Sequence, residues 1–291
     1  MFREKSQKGK DMIVAVHSAP PSSNEELLRS VRRAASLGFK AVQIGPLRNF
    51  VPIEGERVRR VLDSLNVERS VHIGGIYDAK KLASTEQEYN KAQQQIRYGI
   101  ELCTEISSTL VSIHPPLFSI NDTINGELLS RARTRFFRLL SGEADFASRN
   151  HVKIALESFC YYPFIFEGLQ DFVQFVSNLP SEKLGVLLDV GHVYQMGIDL
   201  HEAVHAFENR LLDIHVHDAT LEQDYQKATH LPIGKGTINF SEFTNLLNKN
   251  GYDGWLTLEI RGSEREVIES KEYLENLIER NEAACAKNRG A

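Results

Sequence analysis

The chain has 291 residues, enough for one large α/β barrel or two ordinary domains, and its 42% hydrophobic and 25% charged residues exclude a disordered chain. A net charge of −5 argues against a protein that coats nucleic acid non-specifically, and no apolar run reaches the roughly 18 residues of a membrane span. Cys103, Cys160 and Cys285 are too few and too scattered for a disulfide framework, and the polar stretch 1–11 reads as a flexible tail with no signal-like core, so a cytoplasmic protein is expected.

Met12 to His17 is a short apolar run of buried-strand length. After a Pro-Pro-Ser-Ser loop, Asn24 is placed to cap a helix whose apolar face is Leu27, Leu28, Val31, Ala34 and Ala35, and Gly38 ends it. Residues 40–45 read as a second strand, 57–65 as a helix and 69–74 as a third strand. Residues 86–105 form a long helical pattern leading into a strand at 109–114, which Pro115 and Pro116 stop. The alternation continues with a helix at 126–148, a strand at 152–157, a helix near 167–178 and a strand at 184–189. A helix at 200–208, a strand from Leu211, a helix at 240–250 capped by Asn239, a strand at 255–259 and a charged helix from Ser263 complete the chain. Eight strands alternating with eight helices imply right-handed βαβ units and a parallel sheet. With no proline- or glycine-rich linker, the pattern predicts a single closed (β/α)8 barrel over 12–291.

The strand ends carry the chemistry. His17, His72, His114, Glu157, Asp189, His215 and Glu259 close seven of the eight strands, and Gln43 lies near the end of the second. In a barrel these ends converge on one face, where active sites of this architecture are built. A lone histidine at such a position is often only a hydrogen-bonded core residue. Glu157, Asp189 and Glu259 are different, because each follows an apolar run into a place where an uncompensated carboxylate costs several kcal/mol. Strand interiors offer almost no Lys or Arg to balance them. A divalent cation bound by Glu157, Asp189, His215 and Glu259 resolves the conflict, and three oxygens with one imidazole suit Mn2+, Mg2+, Co2+ or Zn2+. His217 shares the strand face of His215. Gly191 allows a sharp turn that returns His192 to the same cavity, and His230 arrives on a loop closed by Gly-Lys-Gly. His151, His201 and His205 read as structural.

The phrases LES at 156–158, LDVGH at 188–192, HVHD at 215–218, HLPIGKG at 230–236 and GYDGWLTLE at 251–259 resemble the xylose-isomerase-like TIM barrel superfamily. That group includes sugar and sugar-phosphate isomerases and epimerases and the abasic-site enzymes of the endonuclease IV type. The first resemblance implies one metal gripping two oxygens of a sugar or sugar phosphate, with Glu157 and Glu259 as base and acid through a metal-stabilised enediolate. His192, His230 and His17 would contact the substrate; the arginine expected in the loop after strand seven is absent, leaving only Lys227. The second implies zinc held by His72, His114 and Glu157, and again by Glu157, Asp189, His215 and Glu259, to attack DNA. Its third zinc would need His192, His230 and an aspartate where this chain has Ala228, and the asparagine of its His-x-Asn-Asp phrase is His217 here. The expected partner is therefore a small sugar or sugar phosphate; nucleic acid would be the partner only under the second activity, where Arg48 could serve a basic rim. A homo-oligomer stays open, and a non-catalytic ligand-binding barrel is disfavoured by the intact carboxylate–histidine set.

Overall fold

The apolar runs become eight strands: β1 Ile13–Ser18, β2 Ala41–Ile44, β3 Glu68–Ile73, β4 Leu110–Ile113, β5 Lys153–Glu157, β6 Leu184–Asp189, β7 Leu211–Val216 and β8 Trp255–Leu258. The computed structural model describes residues 12–289 except 19–20, 46–50, 75–76, 159–164, 181, 208 and 223. The tail 1–11, Arg48 and Cys160 lie outside the described residues. Every strand pairs in parallel with its sequence neighbours, and β1 closes on β8 with Ile13 opposite Trp255. The chain is a single (β/α)8 TIM barrel. A register shift between Val186 and Leu187 sets Asp189 of β6 level with His215 of β7, and His215 is in turn level with Thr257 of β8.

The helices pack outside, burying faces that recur at helical spacing, such as Leu27, Leu28, Val31 and Ala34 on Asn24–Ser36. The cap of that helix is Ser23, whose hydroxyl accepts from the Glu26 amide; Asn24 is already the first helical residue and instead ties the helix start to the 52–54 loop. Asn239 caps Phe240–Lys249 as its sequence predicts. Three short helices at Ala79–Ser84, Val190–Gln195 and Tyr225–Ala228 fall in stretches whose pattern is too brief for helical periodicity to register. Among the described residues no helix is long and apolar enough to cross a membrane.

Candidate metal centre

Parallel strands place Asp189 and His215 side by side at the carboxyl face, and the Glu259 amide donates to the Val216 carbonyl at 3.1 Å one step beyond. Asp189, His215 and Glu259 each offer a ligand atom within 4.8 Å of the others, and Glu157, Asp189 and His192 do the same alongside. Three buried atoms in these groups lack any hydrogen bond: Glu157 Oε2, Asp189 Oδ2 and His215 Nδ1. Nδ1 of His215 lies 2.9 Å from Glu259 Oε2 and 3.9 Å from Asp189 Oδ2, close but without hydrogen-bond alignment to either. Leaving such atoms bare costs about 1–3 kcal/mol each, more when charged. A divalent cation accepts lone pairs from all of them, so this donor set fits one.

The electrostatics agree. Burial alone would lower the pKa of His215, yet Glu259 and Glu157 push it up to about 10. Burial likewise opposes ionisation of Asp189, but the imidazoles of His192 and His217 hold it well below the usual carboxylate range. Glu259 is held down in the same way by His215. Strand ends that gather carboxylates this tightly attract positive charge, whether proton or metal.

A third group adjoins these two. His114 Nε2 lies 3.0 Å from Glu157 Oε2, His72 Nε2 3.7 Å from the same oxygen, and the two rings approach at 3.1 Å. Burial lowers both histidines; Glu157 more than offsets it for His114, whereas His72 stays well below its ordinary value.

The fourth group is His192, His217 and His230, whose ligand atoms also lie within 4.8 Å of one another. It is built by the turn after β6 and the loop after β7. Asp189 caps Val190–Gln195 by accepting from the His192 amide at 2.8 Å, which swings His192 over the cavity. A Cβ at Gly191 would lie 1.8 Å from His217 Cε1. The glycine therefore provides space for that ring, not a positive φ. Asp218 accepts from the amides of Ala219, Gly234 and Ile238, folding the 219–238 loop around itself. His230 takes φ +53 there, with its amide donating to His217 Nδ1 at 3.0 Å and its carbonyl accepting from the Arg261 amide. His217 Nδ1 also lies 3.2 Å from the Asp218 carbonyl, its Nε2 lies 3.0 Å from Asp189 Oδ1, and against the cost of burial Asp189 raises the pKa of this ring. Burial lowers His192 and, with the His217 imidazole, pushes His230 down to about 3.

Comparison with known proteins decides the lineage. The family model described as xylose isomerase-like TIM barrel matches residues 31–277. The chain belongs to this family. An uncharacterized protein of Methanocaldococcus jannaschii is 27% identical over 262 residues, 88% of this chain and 86% of that protein. A probable endonuclease 4 of Sulfurihydrogenibium sp. is 24% identical over 185 residues, 59% of this chain and 64% of that protein. Among solved structures, a D-tagatose 3-epimerase-like protein is 25% identical with a TM-score of 0.80, covering 94% of this chain and 100% of that one. An L-ribulose 3-epimerase shares the fold at a TM-score of 0.77 and 15% identity, covering 96% and 97%.

Within this xylose isomerase-like barrel, Glu157, Asp189, His215, Glu259, His72, His114, His192 and His230 all enter at least one of the four groups. His17 stands beside them, its ring centroid 5.3 Å from that of His72. Lys227 does not join: it is exposed and its ammonium pairs with Asp224 at 2.9 Å. Two residues went unassigned in the sequence, Gln43 and Asp213, both fully buried inside the barrel. Asp213 has its pKa raised by burial to about 6. The signal for it was present, since Asp213, His215 and His217 share one strand face.

Proposed function

We propose that this chain is a divalent-metal-dependent sugar or sugar-phosphate isomerase or epimerase, with Glu157, Asp189, His215 and Glu259 holding the metal. The observation that carries this reading is the trio of buried ligand atoms Glu157 Oε2, Asp189 Oδ2 and His215 Nδ1 that gather at the barrel's carboxyl face without an aligned hydrogen bond. Likeness to proteins named as sugar epimerases supports it. A bound cation would polarise the oxygens of a ketose or aldose and stabilise the negative charge that builds up when the neighbouring carbon loses its proton. The chain's own groups do the rest. Glu157 and Glu259 come from strands far apart in the barrel order, and we assign them the removal and return of that proton from different sides of the substrate. His192 and His230, kept neutral by burial, can each donate and accept a hydrogen bond to sugar hydroxyls.

The test is solvent exchange. In D2O the metal-loaded protein should move deuterium onto carbon in at least one member of a panel of ketoses and ketose phosphates, and Glu157→Gln or Glu259→Gln should cut the rate by about 100-fold or more. Absence of exchange across the panel, with metal bound, would overturn the reading. The His72–His114–Glu157 group favours one alternative, a zinc phosphodiesterase acting at abasic sites in DNA. It requires two or more zinc ions per chain and nicking of an abasic-site duplex that Glu157→Gln abolishes.

A further inference from the structure

Gln43 of β2 and Asp213 of β7 sit inside the barrel beneath the carboxylate–histidine group, both without solvent exposure. The two ends of the Gln43 amide face different partners. Its Nε2 donates to Asp213 Oδ2 at 2.8 Å, and its Oε1 lies 2.7 Å from His215 Nε2 and 3.1 Å from His17 Nδ1. A primary amide has one donating and one accepting end, so its orientation has to be set by what surrounds it. Asp213 sets it. A carboxylate accepts only, and this one already accepts on Oδ1 from the Thr257 hydroxyl at 2.9 Å and the Ile214 amide at 2.8 Å. Oδ2 is left for Gln43, which must turn its NH2 to Asp213 and its carbonyl toward His215.

A carbonyl can only accept, so His215 carries a hydrogen on Nε2. The neutral ring has one hydrogen, and Nδ1 is then bare. Nδ1 is the nitrogen that faces Glu259 and Asp189. We propose that Asp213 and Gln43 form a hydrogen-bond relay that fixes the tautomer of His215 and so presents the Nδ1 lone pair to the cation. Neither residue touches reacting atoms; both are positioning residues, and the assignment rests on the reading of His215 as a metal ligand. The same carbonyl also faces His17, which explains why that histidine stands at the site without entering any of the four ligand groups.

The relay predicts the effect of swapping its two ends. In Asp213→Asn the single carbonyl stays with Thr257 and Ile214, and the new NH2 faces Gln43. Gln43 must then rotate, present its own NH2 to His215 Nε2, and drive the hydrogen onto Nδ1. Mn2+ or Zn2+ affinity, measured by competition with a chelator, should fall by about 10–100-fold. The double variant Asp213→Asn with Gln43→Glu moves the carboxylate to the other position, where it accepts from the NH2 introduced at position 213 and from His215 together. Its affinity should return to within roughly fivefold of the wild type, judged on that same scale. A role in packing alone gives no such recovery. An independent reading comes from the wild type loaded with Zn2+ and 15N-histidine: the His215 spectrum should show a hydrogen on Nε2 and metal on Nδ1. Unchanged affinity in Asp213→Asn, no recovery in the double variant, or metal on Nε2 each overturns the relay. A wild type that binds no cation, or one whose affinity survives His215→Gln, removes the metal assignment itself and the relay with it.

Discussion

His215 concentrates the argument at the scale of single residues. Its folded pKa of about 10 lies above its free value of 6.5, because Glu259 and Glu157 more than offset the cost of burial. Without metal, the stability this imidazolium contributes is present in full below about pH 6.5 and is lost as the pH climbs through about 10. A cation must displace that proton to reach Nδ1. Metal affinity should therefore rise with pH across this window, by about tenfold per unit, and binding near pH 7.5 should release close to one proton. Calorimetric titration in buffers of different ionisation enthalpy counts that proton, and a pH-independent affinity would remove His215 from the ligand set. Sequence made this histidine legible through its place at a strand end. It did not disclose the Gln43–Asp213 pair, because nothing in a linear chain says that residues 170 positions apart share a hydrogen bond. Asp213 alone was within reach: a carboxylate two residues before His215 in an otherwise apolar strand must point into the barrel.

The elements were readable to the extent that their periodicity was long. The strands lie within about two residues of where their apolar runs place them, whereas the short helix Val190–Gln195 hid behind a glycine that looks like a turn former. Gly191 is required because the His217 ring fills the space where its Cβ would be. Gly191→Ala should cost about 1–3 kcal/mol in denaturant unfolding, the usual range for overpacking, and should disturb His192 and His217 together. Tolerance of alanine there with an unchanged midpoint would mean that the helix and β7 sit farther apart than described. The loop after β7 depends on one side chain in a comparable way. With three amide donors pointed at it, Asp218 is the hub that holds His230 at positive φ. Asp218→Ala leaves those donors unpaired, so amide exchange over 219–238 should accelerate while β1 to β6 keep their protection. Uniform acceleration through the barrel would show that the loop is not a separate unit.

Across the whole molecule, the (β/α)8 fold was legible because strict alternation of strand and helix leaves few topologies, and closure follows from eight units. What the fold does with its charges was less visible. The barrel end gathers Glu157, Asp189 and Glu259 with His72, His114 and His215, and strand register sets Asp189 level with His215. Such a face offers a bound cation several negative ligands at once. A metal that binds the folded barrel and not the unfolded chain stabilises it by RT ln(1 + [L]/Kd), about 2.7 kcal/mol when the free metal is at 100 times Kd. For a barrel of this size that corresponds to a rise of about 4–5 °C in the unfolding midpoint. Scanning calorimetry of chelator-treated and reloaded protein measures the difference, and it should shrink as the pH falls because protons then compete for His215. In Asp189→Asn the metal-dependent rise should largely vanish, and the chelated midpoint should fall as well, because the carboxylate that His192 and His217 hold ionised stabilises the folded barrel. A midpoint indifferent to metal in the wild type would mean that protons alone neutralise this face, and the donor set would then have to be explained without a cation.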